Sequence, residues 1–192
     1  MKVICLLGSP RENGNSATIA KHFCDAAMRF GAEVQNFPLN QLNYRGCQGC
    51  MACKTKLDRC ALQDDLTAVL DAVRDADVLV LASPVYYWDV SSQLKAFIDR
   101  TYSYLVPDFY TNPVQSRLDP GKKLVLVLAQ GHPDQTLFTD IFPKFDYFFK
   151  MYGFDETLLI RACGVQGPGE VNSQPDVLKL AEETAVALCG GR

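Results

Sequence analysis

The sequence predicts an α/β fold built on a doubly wound parallel sheet. Strand-length runs of apolar residues recur along the 192 residues, and segments with helical periodicity separate them. A run that is apolar at every position is typical of a strand buried on both faces, as in a parallel sheet. Strands that alternate with helices indicate right-handed crossovers between neighbouring strands. The length fits a single domain over residues 1–192, with helices on both faces of the sheet.

Five strands are predicted. Four of them come from continuous apolar runs, and the fifth comes from an alternating stretch, 33–37, of the kind found in an edge strand. In chain order the predicted strands are 3–7, 33–37, 78–82, 124–129 and 158–162.

The segments between the strands carry apolar residues at helical spacing. Gly31 and Gly153 are expected to end the first helix and an aromatic-rich later one. Ser173 is a candidate N-cap for the last helix, and Pro175 suits its first turn. The predicted helices are 16–30, 66–73, 94–101, 136–152 and 177–188.

The composition argues against nucleic-acid binding and membrane insertion. The net charge of -3 supplies no basic surface for phosphate backbones. No stretch approaches the length of a membrane span, and the apolar run after Lys2 is too short for a signal peptide. We therefore expect a cytoplasmic protein. In a reducing compartment, a dense group of cysteines favours metal binding or catalysis over disulfide bonds.

The loop after the first strand is predicted to bind an anion. Residues 8–16 read Gly-Ser-Pro-Arg-Glu-Asn-Gly-Asn-Ser and run directly into a helix. Hydroxyls, a guanidinium group and unpaired N–H groups at a helix start together favour a phosphate. The loop matches neither the Walker motif nor the dinucleotide fingerprint, and a polar loop that ends in Ser16 as an N-cap is the alternative. Cys5 and Arg11 also have the C-x5-R spacing of cysteine-dependent phosphatases, but the strand position of Cys5 predicts an inert packed thiol.

Two further loops are expected at the same edge, because ligands of open parallel sheets bind outside the carboxyl ends of the strands. Residues 83–89 read Ser-Pro-Val-Tyr-Tyr-Trp-Asp and place three consecutive aromatic residues on a turn. Aromatic side chains exposed at a ligand edge indicate a flat partner, although a packed loop or a subunit contact would explain them too. Residues 130–133 form a short polar loop, in which we assign His132 no acid-base role.

The loops resemble those of the NADPH-dependent FMN reductase superfamily, whose members have the flavodoxin-like fold. The resemblance rests on Gly8-Ser9-Pro10-Arg11 with Gly14-Asn15-Ser16, and on Ser83-Pro84-Val85-Tyr86 followed by the motif at 91–100. It covers residues 1 to about 130. It implies a flavodoxin-like sheet with strand order 2-1-3-4-5 and a cysteine-rich insertion, 43–63, after strand 2.

The resemblance also implies an FMN site with three parts. The first loop would hold the phosphate, and the second would lie along the isoalloxazine ring. The third loop, residues 130–133, differs from the glycine-rich stretch that relatives often carry at this position. No catalytic residue is assigned, because a flavin carries the hard chemistry itself. The implied cofactor-binding residues are Ser9, Pro10, Arg11, Asn13, Gly14, Asn15, Ser16, Pro84, Val85, Tyr86, Tyr87, Trp88, Gln130 and Gly131.

Four cysteines, Cys47, Cys50, Cys53 and Cys60, have the spacing Cys-x2-Cys-x2-Cys-x6-Cys. Three cysteines at successive two-residue gaps suit an iron-sulfur cubane, whereas structural zinc usually takes two Cys-x2-Cys pairs separated by a longer arm. The pattern resembles the iron-sulfur flavoprotein branch of the same superfamily, which implies that these cysteines bind a [4Fe-4S] cluster. Unligated or redox-active thiols, and zinc, are the alternatives.

Together these features predict an FMN-dependent oxidoreductase or electron-transfer flavoprotein that relays electrons between a [4Fe-4S] cluster and FMN. The expected partner is an electron carrier such as ferredoxin or NAD(P)H. A cluster-free NAD(P)H-dependent FMN or quinone reductase is the first alternative, and a zinc-stabilised non-catalytic binding module is the second. The branch implies a homodimer or homotetramer. Seven aromatic residues between 138 and 152 offer apolar surface for such an interface.

Overall fold

The computed structural model describes residues 1–190 and has one sheet of six strands. Five of them are parallel and lie in the order β2-β1-β3-β5-β6, while β4 pairs antiparallel with β3 alone. The predicted parallel α/β sheet is confirmed, and its parallel strands have the predicted order. The predicted count of five strands is wrong, because the two-residue strand β4 is too short to show a pattern in the sequence. The strands are β1 (Lys2–Leu7), β2 (Glu33–Pro38), β3 (Val78–Tyr86), β4 (Asp89–Val90), β5 (Lys122–Ala129) and β6 (Phe154–Ala162).

Helices cover both faces of the sheet because successive side chains of a strand point to opposite sides. Val3 and Cys5 of β1 pack in the core under the first and last helices, whereas Ile4 and Leu6 pack under the helices 66–74, 92–100 and 141–151. No helix within residues 1–190 is both long and apolar enough to cross a membrane. The helices are α1 (Asn15–Arg29), α2 (Ala52–Thr55), α3 (Leu66–Arg74), α4 (Ser92–Arg100), α5 (Ile141–Met151) and α6 (Pro175–Cys189).

The starts of α5 and α6 differ from the sequence prediction. Helix α5 begins at Ile141 rather than at 136, because the Asp134 carboxylate accepts hydrogen bonds from the main-chain N–H and the hydroxyl of Thr136 and holds a separate turn. Helix α6 has Gln174 at its N-cap, and the hydroxyl of Ser173 donates to the Glu170 carbonyl instead of capping the helix. Short polar side chains bond to local main chain in turns as readily as at caps, so their sequence signal is ambiguous.

The aromatic residues of α5 are divided between the core and the surface. Phe145, Phe149 and Tyr152 are buried in the protein's own core, whereas Tyr147 and Phe148 are exposed. Most of the aromatic surface that suggested an interface is therefore used within the chain, and two rings remain outside.

The cysteine segment, residues 43–63, lies between β2 and α3 and contains the single-turn helix α2. Its two ends are held by Arg100, a buried residue at the end of α4. The Arg100 guanidinium donates to both Asp64 carboxylate oxygens at 2.6 Å, to the Arg45 carbonyl and to the Leu62 carbonyl. Burial alone would raise the pKa of Asp64, but hydrogen bonds from Arg100 and from the Arg45 main chain lower it on balance.

Stability at acid pH is expected to depend on Asp64. Its pKa is lower in the folded chain than the ordinary value of about 3.9, so its contribution is present above that value and is lost as the pH falls through the folded pKa. Asp64→Asn should therefore be less stable than the native chain at pH 7, and the difference should shrink as the pH falls below about 4. Urea unfolding over this pH range checks it, with the exposed Asp58→Asn as control. A stability difference that stays the same at every pH would contradict the prediction.

Candidate functional site

A cleft opens at the carboxyl ends of β1, β3, β5 and β6, where the chain order of a doubly wound sheet reverses. We call it the main cleft, and its volume is about 380 Å³. Its lining within residues 1–190 includes a guanidinium and an imidazole but no carboxylate, so an anionic ligand meets no like charge there. The lining residues are Ser9, Arg11, Gly14, Asn15, Ser16, Pro84, Val85, Tyr86, Ala129, Gly131, His132, Pro133, Val165 and Gln166.

The first loop brings anion-binding groups to the cleft. Gly14 is the N-cap of α1, so the helix begins one residue before Ser16, which lies in the first turn and not at the cap. The N–H groups of this turn have no acceptor within the helix and carry the positive end of its dipole. Arg11 is exposed, and its Nη1 donates to the Gln166 carbonyl at 2.7 Å, which orients the guanidinium beside the cleft.

Asn15 joins the first loop to the loop after β6. Its side-chain amide donates to the Gly167 carbonyl at 2.9 Å, and its Oδ1 accepts from the Val171 N–H at 3.1 Å. Both ends of this buried carboxamide are therefore occupied by the protein itself. At Asn15 the main-chain N–H, rather than the side chain, is left to meet a ligand.

Asn15→Ala is expected to lower the free energy of unfolding by about 1–2 kcal/mol, because two hydrogen bonds in a largely buried setting lose their partner. The loop after β6 should also become more accessible to hydrogen exchange. Chemical denaturation and exchange at residues 166–171 measure the two effects. Asn13→Ala, a change of the same kind at an exposed position in the same loop, should leave both unchanged. Equal effects of the two changes would show that the Asn15 side chain does not hold the loop after β6 in place.

The first two loops of the cleft approach each other closely at Gly8. A Cβ atom on Gly8 would lie 2.9 Å from both the Leu94 Cβ and the Ser91 Oγ, so a glycine is required there. Ser91 caps α4 by accepting from the Leu94 N–H, and its hydroxyl donates to the Gly8 carbonyl at 2.7 Å. The Ser91 N–H in turn donates to the Ser83 hydroxyl. The start of α4 thus fixes the distance between the ends of β1 and β3.

The second loop lines the cleft only with its first half. Pro84, Val85 and Tyr86 lie at the end of β3 and border the cleft. Tyr87 and Trp88 follow in the left-handed region, with φ of 44° and 67°, and form the turn into β4. Tyr87 is fully exposed, whereas the Trp88 ring packs edge-on against Phe138 at 4.6 Å and its Nε1 donates to Asp140. The two residues that were expected along the cofactor ring therefore lie outside the cleft lining, because this tight turn requires two residues with positive φ.

The third loop is fixed by Gln130, which is buried and not at the cleft surface. Its Nε2 donates to the carbonyls of His132 and Asp134, and its Oε1 accepts from the Arg161 guanidinium. Gly131 does line the cleft. Gln130 shapes the loop from behind, which agrees with a supporting role rather than direct contact.

The structure brings nine of the fourteen expected cofactor-binding residues to one cleft. The remaining five are Pro10, Asn13, Tyr87, Trp88 and Gln130. Sequence reasoning missed the loop after β6, which contributes Val165 and Gln166 to the lining. The available signal was its position after a parallel strand, because every such loop ends at the same edge of the sheet.

All four cysteines of the segment line a second, smaller cavity, which we call the cysteine cavity. Its volume is about 70 Å³, and Arg100, Tyr102 and Ser103 form part of its wall. Within residues 1–190, no three side chains of metal-ligating type are close enough together to hold an ion as they stand. The cavity therefore gathers four thiols around one space without a ligating geometry.

The cysteine segment carries cationic and N–H groups close to its sulfur atoms. The Gly49 N–H donates to the Cys47 Sγ at 3.5 Å. The Lys54 ammonium donates to the carbonyls of Tyr102 and Leu105 and lies 4.1 Å from the centre of the Tyr102 ring. Burial lowers the pKa of Lys54, while the neighbouring Cys53 raises it. Lys54 thus ties helix α2 to residues 102–105 and is not a freely solvated charge.

Cys5 has no part in either cavity. It is completely buried in β1, and its pKa is raised by a hydrogen bond with the Cys24 thiol and by burial. A thiol in this state is a poor nucleophile, which rules against the cysteine-phosphatase alternative.

A parallel sheet of order β2-β1-β3-β5-β6, with a cleft at the carboxyl ends of β1 and β3, defines the flavodoxin-like class, and flavodoxin binds FMN at this switch point. The family model for NADPH-dependent FMN reductase matches residues 1–132. The chain belongs to that family.

Curated relatives and solved structures agree with this assignment. An iron-sulfur flavoprotein of Archaeoglobus fulgidus is 38% identical over 108 residues, which is 54% of this chain and 47% of that protein. The chain thus spans about half the length of the curated relatives that it matches. An NAD(P)H:quinone oxidoreductase from Methanothermobacter marburgensis has a TM-score of 0.77 at 17% identity and covers 98% of this chain and 96% of its own. An FMN-dependent NADH-azoreductase from Bacillus anthracis, solved with FMN, has a TM-score of 0.73 at 17% identity, over 98% of this chain and 99% of its own. At these identities the two structures establish the fold.

Proposed function

We propose that the main cleft binds FMN and that the chain is a flavin-dependent oxidoreductase. One observation carries this proposal: an anion-binding helix start, a guanidinium and a largely apolar strand end open into the same cleft. The phosphate would lie at the start of α1 beside Arg11, and the isoalloxazine ring along 84–86. The proposed contacts are the lining residues Ser9, Arg11, Gly14, Asn15, Ser16, Pro84, Val85, Tyr86 and Gly131.

Bound FMN would supply hydride and single-electron transfer, which the side chains present cannot perform alone. The chain's own groups bind and orient. Arg11 and the N–H groups of α1 neutralise the phosphate charge. Pro84 and Val85 offer apolar surface to one side of a flat ring and keep water from it.

We propose further that Cys47, Cys50, Cys53 and Cys60 hold a [4Fe-4S] cluster, which would supply one-electron transfer. The donor set fits this group in kind and number, because four thiols border one cavity that is otherwise mostly apolar. The names of the curated relatives, iron-sulfur flavoproteins, support the same proposal. Arg100 places positive charge in the cavity wall, and Lys54 follows Cys53 directly in the chain, so both would offset the negative charge of four thiolates.

A cluster-free NAD(P)H-dependent FMN or quinone reductase is the second candidate function. The observation that favours it is the distance between the thiols, which do not form a ligating group as they stand. In this case the cysteine segment would have a structural role or would carry a redox-active thiol pair. The third candidate, a zinc-stabilised module without catalysis, would leave the main cleft without a role.

Protein purified without oxygen separates the three candidates. Flavin bands together with a broad absorbance that bleaches with dithionite, and about four irons per chain, would support the cluster-containing flavoprotein. Flavin bands without iron would support the second candidate. Zinc without flavin, and a chain that stays colourless after incubation with FMN, would overturn the proposal.

We propose an electron carrier, either NAD(P)H or a ferredoxin, as the partner, and a homodimer or homotetramer as the working assembly. Phe148 is exposed and lines a groove with Cys47, Tyr102 and Lys144, which would place a second copy of the chain next to the cysteine segment. Light scattering on the anaerobic protein tests the assembly, and a monomer at micromolar concentration would contradict it.

The proposed location is the cytoplasm, where the thiols would stay reduced.

A further inference from the structure

Arg100 is a charged side chain that the fold keeps almost completely out of water. It is 1% exposed and lines the cysteine cavity. Burying a guanidinium costs free energy unless its N–H groups are paired, so each of its donors requires a partner.

Two of its three nitrogens are paired. Nη1 donates to Asp64 and to the Arg45 carbonyl, and Nη2 donates to the Leu62 carbonyl. Arg45 precedes Cys47, and Leu62 and Asp64 follow Cys60. The guanidinium thus ties the two ends of the cysteine segment together and fixes the mouth of the cavity that the four thiols line.

The third nitrogen, Nε, has no partner. It is the one buried side-chain nitrogen or oxygen within residues 1–190 that makes no hydrogen bond. An orphaned donor on a charged group is costly, and in native proteins it indicates a function or a missing ligand. Four cysteine sulfurs border the same cavity and can accept a hydrogen bond.

We propose that Arg100 is a positioning residue whose Nε–H donates a hydrogen bond to a sulfur of the cluster held by Cys47, Cys50, Cys53 and Cys60. This inference rests on the cluster of the proposed function. A hydrogen bond to a cluster sulfur stabilises the state with one more negative charge, so Arg100 raises the reduction potential as well as shaping the loop.

Arg117 provides a matched control. Its guanidinium also braces the segment, by donating to the carbonyls of Cys53, Ser103 and Leu105, but it does not line the cysteine cavity. Arg100→Lys and Arg117→Lys therefore each keep the positive charge. Each also removes a guanidinium that donates hydrogen bonds to several main-chain carbonyls. Arg100→Lys alone changes a side chain that lines the cysteine cavity, and it removes the unpaired Nε–H.

The test measures the reduction potential of the iron-containing protein by a dithionite titration followed by electron paramagnetic resonance. Arg100→Lys is expected to have a more negative potential than the native chain, and Arg117→Lys is expected to match the native chain. Bound FMN, which the main cleft holds independently, reports that each variant is folded.

A second measurement needs no change at Arg100. In native and Arg117→Lys protein labelled with 15N at arginine Nε, the reduced cluster should show a weak magnetic coupling to one labelled nitrogen. Iron-containing protein without this coupling, or two lysine variants with the same potential, would overturn the inference and leave the proposed cluster intact. Native protein with FMN but no iron would overturn both, so the two failures are distinguishable.

Discussion

Cys50→Ser is expected to abolish iron binding while FMN remains bound. Cys50 is exposed and lies between Gly49 and Met51, both of which have positive φ, so the main chain at this point turns sharply around the thiol. An alcohol is a much poorer iron ligand than a thiolate, and a cubane that loses one of four protein ligands is strongly weakened. The main cleft should be unaffected, because its described lining contains none of the four cysteines.

Iron and flavin analysis of anaerobically purified protein measures this outcome. Cys163→Ser is the control, since Cys163 is a partly exposed thiol beyond β6 and outside the cysteine cavity. Iron content that is unchanged in Cys50→Ser would show that the cluster assignment is wrong. Loss of FMN together with iron would show that the segment and the cleft are one structural unit.

Arg11→Ala is expected to weaken FMN binding by about 1–3 kcal/mol, or roughly 5- to 150-fold in the dissociation constant. Arg11 is the guanidinium of the cleft, and its bond to the Gln166 carbonyl holds it beside the start of α1. A charge-assisted contact to a phosphate is lost in the variant, while the N–H groups of α1 still bind the anion. Some affinity should therefore remain.

Riboflavin distinguishes a phosphate contact from a general loss of the site, because it has the same ring without the phosphate. Arg11→Ala should reduce the affinity for FMN and leave that for riboflavin nearly unchanged, as measured by quenching of flavin fluorescence in the apoprotein. Glu12→Ala, a change at the next exposed residue, should have no effect on either ligand. Equal losses for both flavins in Arg11→Ala would reject the phosphate role.

The parallel sheet and its helices could be predicted because their signals are local. The continuous apolar runs at 78–82 and 124–129 became the central strands β3 and β5, which are buried on both faces. Helix α3 presents the predicted face, with Leu66, Val69, Leu70 and Val73 all buried. A strand buried on both faces leaves a continuous apolar run, and a helix buried on one face leaves apolar residues at every third or fourth position. Both patterns can be recognised without knowing which distant residues they pack against.

The side-chain roles in the cleft were less predictable because they depend on contacts between distant parts of the chain. Asn15 looked like a phosphate ligand, yet its side chain bonds to residues 152 and 156 positions away. Gln130 was expected to contact the cofactor, yet Arg161 and the following loop hold it in the core. A polar residue in a loop carries the same sequence signal whether it meets a ligand or another loop.

The sequence by itself determined the fold class, the edge of the sheet at which the main cleft opens and the four thiols of the cysteine segment, since each follows from periodicity, order or spacing along the chain. Only the tertiary structure decided which loop residues face the main cleft, added the loop after β6 to it, and placed the buried Arg100 beside the thiols. Arg100 lies 40 residues after Cys60 in the sequence, yet its buried side chain, with an unpaired Nε, lines the cavity of the four thiols. Such long-range packing is set by the whole core and leaves no pattern in any short stretch of sequence.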